Sequence, residues 1–268
     1  MRIILDLSKG AQQNAQHYFD ESKKFRAKAK GVDIGLALVQ SKLEALQKQV
    51  EKEKVLPPAK KRSKEWFEKF RWCFTRNGFL VIGGRDAHSN EAVVKHHLEE
   101  KDAYFHADIP GAPHCVLKLG DKVPSDGDLD DAAAFAGLFS SVWKKGFFSV
   151  RVYQVSKSQV SKKAPSGESL GRGAFMIYGE RKWFDPRLMM GIGIQPVKDG
   201  FRVMCGPLNC VKTHAQHVVE ILPGSHSKSD VGKSYSKFLL SRKIPISIFL
   251  DDVVASLPTG EFGMKIPS

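Results

Sequence analysis

This 268-residue sequence predicts a mixed α/β (α+β) protein with a helical N-terminal appendage. Three observations lead there. Short runs rich in β-branched and aromatic residues recur between residues 79 and 224, set off by Gly and Pro, and read as strands. Segments with helical apolar spacing interleave with them. Residues 10–55 differ from both, being rich in helix formers throughout.

The appendage comes first, as a helical coiled-coil segment over 1–58. In "GAQQNAQHYFDESKKFRAKAKG", Ala11, Ala15, Tyr18, Phe25 and Ala29 recur near helical spacing, and Gly31 is a plausible stop. With Asp33 as a possible cap, a second stretch carries Leu36, Val39, Leu43, Leu46 and Val50 at 3–4 spacing, which is an a/d seam. A helical hairpin, part of a longer coiled coil, and one amphipathic helix all fit. Two prolines in "LPPAKKRSKE" (56–65) end the helix, and the basic run reads as a linker.

The α/β module follows over 59–268. "FLVIGG" (79–84) is strand-like and "SNEAVVKHHLEE" (89–100) helix-like; "DAYFHAD" and "HCVLKLG" are strands. Residues 128–146 read as a helix with an acidic start and a basic end, the order favoured by the helix dipole. "FFSVRVYQV" (147–155) is a strand, and "GAFMIYGERKWF", "GIGIQPV", "FRVMCGP" and "HVVEILPG" are further ones. "KSDVGKSYSKFLLSR" and "ISIFLDDVVASL" close the chain as helices.

Lys and Arg number 42 against 29 Asp and Glu, a net charge of +13. A surplus this large attracts polyanions, nucleic acid ahead of anionic membrane. Cys73, Cys115, Cys205 and Cys210 form no C-x-x-C pair and read as buried thiols of a reducing compartment. No apolar run reaches the roughly 18 residues of a membrane span, and "RIILDLSKG" is too short for a signal peptide. A cytoplasmic protein is expected.

"IGGRDAHSNE" (82–91) joins a strand end, a Gly-Gly turn and a helix start. Gly83 and Gly84 permit a sharp turn or close approach of a ligand, and Arg85 supplies a planar fork suited to phosphate. Asp86 or Ser89 could cap the helix instead. Without G-x-x-x-x-G-K-[ST] it is not a nucleotide P-loop, so tight turn and phosphate cradle both stand. His106 and Asp108 alternate on a strand and share a face, with His114 nearby. Metal binding, catalysis, an RNA-facing surface and structural hydrogen bonding are all open there.

The motifs "WFEKFRWCF…NGFLVIGGRDAHSNE", "YFHADIPGAP", "SKSQVSKKAPSGESLGRGAFMIYGER" and "LDLSKGAQQNAQHYF", in this order, resemble the C-terminal half of the NFACT family, which includes RqcH and NEMF-type factors. The resemblance covers nearly the whole chain. It implies a coiled-coil segment entering an RNA-binding "R" module, with the family's N-terminal module and helix-hairpin-helix segment expected to precede "LDLSKG". It implies a role in ribosome-associated quality control. The partners would be tRNA and the large ribosomal subunit with its peptidyl-tRNA, and the role would be support of C-terminal alanine tailing in which the ribosome performs the chemistry. No enzyme activity, metal or other cofactor is implied. Two departures stand out: Pro110 replaces the second His of H-A-D-x-H-G-A, and "RKW" (181–183) replaces the usual Arg-Asn.

The candidate RNA contacts are then Arg71, Gly83, Gly84, Arg85, Asn90, His106, Asp108, His114, Gln159, Ser161, Lys162, Lys163, Arg172 and Arg181. Lys and hydroxyl groups in the 159–168 loop suit backbone phosphates. Trp66, Phe67, Trp72 and Phe74 could form a stacking platform, although packing is the commoner use of aromatics. Lys144 and Lys145 sit at a helix end, where cations are favoured in any case. The Leu36–Val50 seam could dimerise or bind a partner. The rival readings are a general nucleic-acid binder outside quality control and an enzyme using His106 and Asp108.

Overall fold

A computed structural model of the chain describes residues 3–54, 63–163, 170–198, 200–244 and 249–266, with backbone alone for 47–54. The chain divides into two compact units, 1–58 and 59–268.

The first unit is one helix, α1 (Ala11–Lys54). It runs unbroken through Gly31 and Gly35, so the expected stop at Gly31 and the hairpin do not occur. One glycine costs about 1 kcal/mol against alanine, too little to break a helix with strong formers on both sides. The lead-in is tied back onto the helix. Asn14 Nδ2 donates to the carbonyls of Asp6 and Lys9, and Tyr18 Oη donates to the Ile4 carbonyl. Leu36, Val39, Leu43 and Leu46 are all exposed, so the apolar seam is uncovered within its own unit. The Val50 side chain and most of the 56–65 linker lie outside the described residues.

The second unit begins with a 3-10 turn, Trp66–Lys69, and then β1 (Arg71–Phe74), β2 (Leu80–Gly83), α2 (Ala87–His97), β3 (Ala103–Ala107) and β4 (Cys115–Lys118). It continues with α3 (Asp126–Leu138), a second 3-10 turn (Trp143–Lys145), β5 (Val152–Ser156), β6 (Val160–Ser161), β7 (Met176–Ile177) and β8 (Lys182–Phe184). The last part is β9 (Met190–Val197), β10 (Gly200–Pro207), α4 (Leu208–His214), β11 (Gln216–His226), α5 (Lys228–Ser241), α6 (Phe249–Ser256) and β12 (Phe262–Lys265). The strand order is β1-β2-β4-β3-β5-β8 in a six-stranded sheet and β10-β9-β11-β12 in a four-stranded one, with β6-β7 a separate hairpin. Every strand pair is antiparallel.

One apolar core runs through both sheets. Phe135 of α3 lies against Gly83 of β2 and Gly206 of β10, and Gly206 touches Cys73 of β1. Tyr104, Phe105, Ile82, Leu117, Met190, Ile192, Ile194, Tyr235 and Phe262 are fully buried around it. All four cysteines are buried free thiols.

The acidic start of α3 does more than complement the helix dipole. Asp128 is fully buried and accepts hydrogen bonds from Thr75 Oγ1 (2.6 Å), Ser125 Oγ (2.6 Å) and Asn77 Nδ2 (3.0 Å). Asp131 takes a two-toothed grip from Arg76 at 2.8 and 3.0 Å. The β1–β2 hairpin is thereby bolted to α3. Burial pushes the Asp128 carboxyl up, but its hydrogen bonds outweigh that and hold it at about 2. The helix ends at Leu138, short of the expected residue 146, and Lys144 and Lys145 fall in the 3-10 turn. Residues 147–151, expected within the strand, precede it; they are held by an isolated bridge from Ser149 to Arg187 and by the Phe148 and Arg151 carbonyls, which accept from Leu188 N and Asp108 N.

Candidate nucleic-acid interface

The Gly-Gly turn carries β2 into α2. Asp86 caps the helix, accepting from Ser89 N at 2.8 Å, while Ser89 Oγ accepts from the Asp86 amide at 2.9 Å. Gly84 N donates to the His114 carbonyl, and Asn90 Oδ1 accepts from His114 N. A Cβ on Gly84 would fall 2.0 Å from Asn90 Oδ1 and 2.6 Å from its amide nitrogen; one on Gly83 would fall 2.9 Å from Cys115 Sγ. Close packing therefore requires both glycines.

Arg85 leaves this turn and donates to the carbonyls of Ala255 (2.7 Å) and Phe70 (2.9 Å), with a long contact to that of Glu68. It staples α2's entry to the end of α6 and the start of β1. Arg71 donates to the Leu257 carbonyl at 3.2 Å and lies over the Phe139 ring. Lys228 donates to the same Leu257 carbonyl at 3.0 Å. These three cations are satisfied by main-chain carbonyls, without an ion pair to a carboxylate among the described residues. Burial, then the charge of Arg85, pulls Arg71 down to about 10. Burial lowers Arg85, against the pull of Asp252 and Asp86; burial followed by the charges of Arg71 and Arg85 lowers Lys228. Their charges repel one another.

Arg71 and Arg85 open onto a cavity of about 420 Å³ that is also lined by Gly84, Lys144, Ser141 and Thr259. Asn90 and the carboxylate of Asp86 belong to its wall, the latter already engaged by Ser89. Lys144 is exposed and makes no hydrogen bond or ion pair among the described residues. Positive charge, one polar rim and an open mouth suit a phosphate group.

The histidines occupy different positions. His114 is buried, with its ring between Tyr104 Oη and the Gly173 carbonyl. The Nε2–H donates to Gly173, which leaves Nδ1 to accept from Tyr104. Burial, then His106, lowers His114 to about 3, and burial lowers His106 to about 4. Both rings are neutral at physiological pH, so neither adds charge to an RNA contact. Asp108 is exposed beyond the strand end.

The 159–168 loop is described through Lys163; Ser166 lies outside. Gln159 is engaged at both ends: Nε2 donates to the carbonyls of Tyr178 and Glu180, and Oε1 accepts from Ser156 N. Ser161 Oγ accepts from Lys163 N. Lys162 donates to the Gly171 and Ala174 carbonyls and pairs with Glu91 at 3.5 Å, tying the segment to α2. The Arg172 side chain is exposed and engages nothing among the described residues. Arg181 lies over the Tyr153 ring at 4.6 Å. Trp66 stacks on His97; Phe67, Trp72 and Phe74 pack edge to face against one another, with Arg202 over all three. This cluster is packing rather than an open platform.

Sequence reading passed over Thr259, which joins the cavity from more than a hundred residues away, and Lys228, which meets Arg71 only at the Leu257 carbonyl. It also passed over Arg151, Tyr153 and Trp183. The period-2 alternation of Arg151 and Tyr153 along a strand was the available signal.

The family model described as the NFACT protein RNA binding domain matches residues 69–179. The archaeal Rqc2 homolog aRqcH of Methanocaldococcus jannaschii is 35% identical over 201 residues, which is 75% of this chain and 29% of that protein. The human ribosome quality control complex subunit NEMF is 36% identical over 188 residues, 68% of this chain and 17% of that one. The solved C-terminal part of the fibronectin/fibrinogen-binding protein from Streptococcus suis is 19% identical with a TM-score of 0.39, covering 66% of this chain and 76% of its own. The chain thus spans less than a third of the length of these curated relatives. Residues 69–179, which hold most of the cavity wall, are an NFACT RNA-binding domain, and through it the chain belongs to the NFACT family.

Proposed function

We propose that this chain is an RNA-binding part of a ribosome quality control factor and that it grips an RNA backbone phosphate in the cavity at the Gly-Gly turn. One observation carries the reading: Arg71, Arg85 and Lys144 converge on that cavity, and none of them is ion-paired to a carboxylate among the described residues. Arg71 and Arg85 are already fixed by carbonyls, so they lose little freedom on binding. Asn90 and Gly84 shape the wall, while Gly83 packs against Cys115 and Phe135. Lys163, Arg172 and Arg181 extend the positive surface, while Gln159, Ser161, Lys162, His106 and His114 hold the scaffold. Asp108, a carboxylate, stands apart from any phosphate.

The human relative is a ribosome quality control complex subunit, and the archaeal one is an Rqc2 homolog. By extension, the partners here are tRNA and the large ribosomal subunit carrying peptidyl-tRNA, met in the cytoplasm. The part played in tailing is to position RNA, without catalysis by this chain. The uncovered seam of α1 is suited to a partner helix or a second copy.

The test is tRNA binding by fluorescence anisotropy across a salt series. Affinity should fall steeply with salt, and Lys144→Glu should weaken binding and flatten the log–log slope by about 1, as loss of one phosphate contact does. Arg172→Ala should act in the same sense. A wild-type chain without salt-dependent RNA binding, or a slope indifferent to Lys144→Glu, would sink the reading.

A further inference from the structure

The far end of the six-stranded sheet carries a second feature. Its row of cross-strand partners is His106 (β3), Tyr153 (β5) and Trp183 (β8), so all three rings share one face. His106 and Tyr153 lie 5.7 Å apart, and Tyr153 and Trp183 5.5 Å. Trp183, on the terminal strand of the sheet, is 37% exposed. Arg151 lies over its ring at 4.3 Å and Arg181 over Tyr153 at 4.6 Å. Neither guanidinium makes a hydrogen bond or ion pair among the described residues. Such an arrangement offers wide, weakly hydrated planar surfaces with two charges that no described residue neutralises by contact. Asp108 is the acidic neighbour, and its amide rather than its carboxylate meets the Arg151 strand.

The row also leads back to the cavity. His106 is 4.9 Å from His114, whose Nε2 donates to Gly173, and Gly173 lines the cavity. One extended polyanion could therefore engage both places.

We infer that the Trp183–Arg151–Arg181 platform stacks an unpaired base of single-stranded RNA whose backbone is held in the cavity, an inference that rests on the RNA reading above. The ligand class follows from the chemistry. Planar guanidiniums and an exposed indole bind a π-face of any base, and the unneutralised charge favours a phosphate-bearing chain over an apolar or cationic partner. Trp183 then contributes stacking without charge, whereas Lys144 contributes charge without stacking. The two variants separate the proposals.

The experiment measures affinity across salt for single-stranded oligoadenylate, for the same sugar–phosphate chain made abasic, and for inorganic polyphosphate. The chains compared are wild type, Trp183→Ala, Trp183→Phe and Lys144→Glu, each checked for fold by thermal melting. Trp183→Ala should weaken oligoadenylate roughly 5- to 150-fold with an unchanged salt slope, and Trp183→Phe should restore most of the loss. The abasic chain should bind wild type as weakly as oligoadenylate binds Trp183→Ala, and polyphosphate binding should not respond to Trp183 at all. Equal oligoadenylate affinity for wild type and Trp183→Ala overturns the platform and leaves the cavity reading standing. So does a loss that extends equally to polyphosphate. Absence of oligoadenylate binding by wild type overturns both.

Discussion

Acidification should unfold this protein in two separable stages, the first governed by the neutral histidines under the six-stranded sheet. Burial holds His106 at about 4 and His114 at about 3, against an ordinary 6.5. Both values are depressed, so below about pH 6.5 the unfolded chain takes up protons that the folded chain refuses. The stability they contribute is full above that point and declines as pH falls towards the folded values. At about pH 5 both folded values still lie below the solution pH. The loss per histidine is then set by the distance from 6.5 to 5, about 2 kcal/mol each and about 4 kcal/mol together. His97, lowered by burial and by Lys69, adds in the same sense. Asp128, held at about 2 against an ordinary 3.8, gives up its contribution as pH falls from about 3.8 towards about 2, which gives the second stage its own window. The assay is urea unfolding followed by circular dichroism at about pH 7.5 and about pH 5, comparing wild type with His114→Gln, which can still meet Tyr104 and Gly173. The variant should lose roughly half as much stability over the interval as wild type. A wild-type midpoint that stays flat across it, or a variant with the full dependence, would refute the assignment of neutral, buried rings.

The other predictions concern the turn and the core. Arg85→Ala removes two charge-assisted hydrogen bonds, partly offset by relief of repulsion with Arg71 and Lys228. It should cost about 2–4 kcal/mol, a drop in Tm of roughly 5–15 °C, and an unshifted melt would refute the staple. Gly84→Ala should cost about 3 kcal/mol or more through collision with Asn90, whereas Gly171→Ala, which meets nothing within 4 Å, should change the melt little. A thiol-reactive chromogenic reagent should label none of the four cysteines before unfolding, since all are buried and burial pushes the thiols of Cys73, Cys115 and Cys205 up; reaction in the native state at rates above those of unfolding would contradict that core.

Much of the fold was legible because its signals are local. "FLVIGG", "GIGIQPV" and "FRVMCGP" announce strands through β-branched runs and glycine punctuation, and the structure has β2, β9 and β10 there. Asp86 and Ser89 were read as rival caps; the structure uses both reciprocally. Errors arose where tertiary contacts outweigh propensity. β1, "RWCF", sits in an aromatic run that suggested packing or stacking, and only its pairing with β2 makes it a strand. α4 and β12 escaped notice because each is short and takes its order from neighbours. Gly31 misled in the other direction, since its local penalty is small beside the long run of helix formers around it.

By itself the sequence determined the mixed α/β composition, the long N-terminal helix, the basic charge and the family motifs, all of which are properties of residue type and near-neighbour order. Only the tertiary structure decided what those motifs do to one another. It turned Arg85 from a free phosphate fork into a staple on carbonyls 15 and 170 residues away. It buried His106 and His114 until they were neutral, and it brought Lys144 and Thr259 to the same cavity as Arg71. It also aligned His106, Tyr153 and Trp183 in a single row. The physical reason is that charge, hydrogen bonding and exposure depend on which groups become neighbours when the chain closes on itself, and strand register fixes that across separations no local pattern encodes.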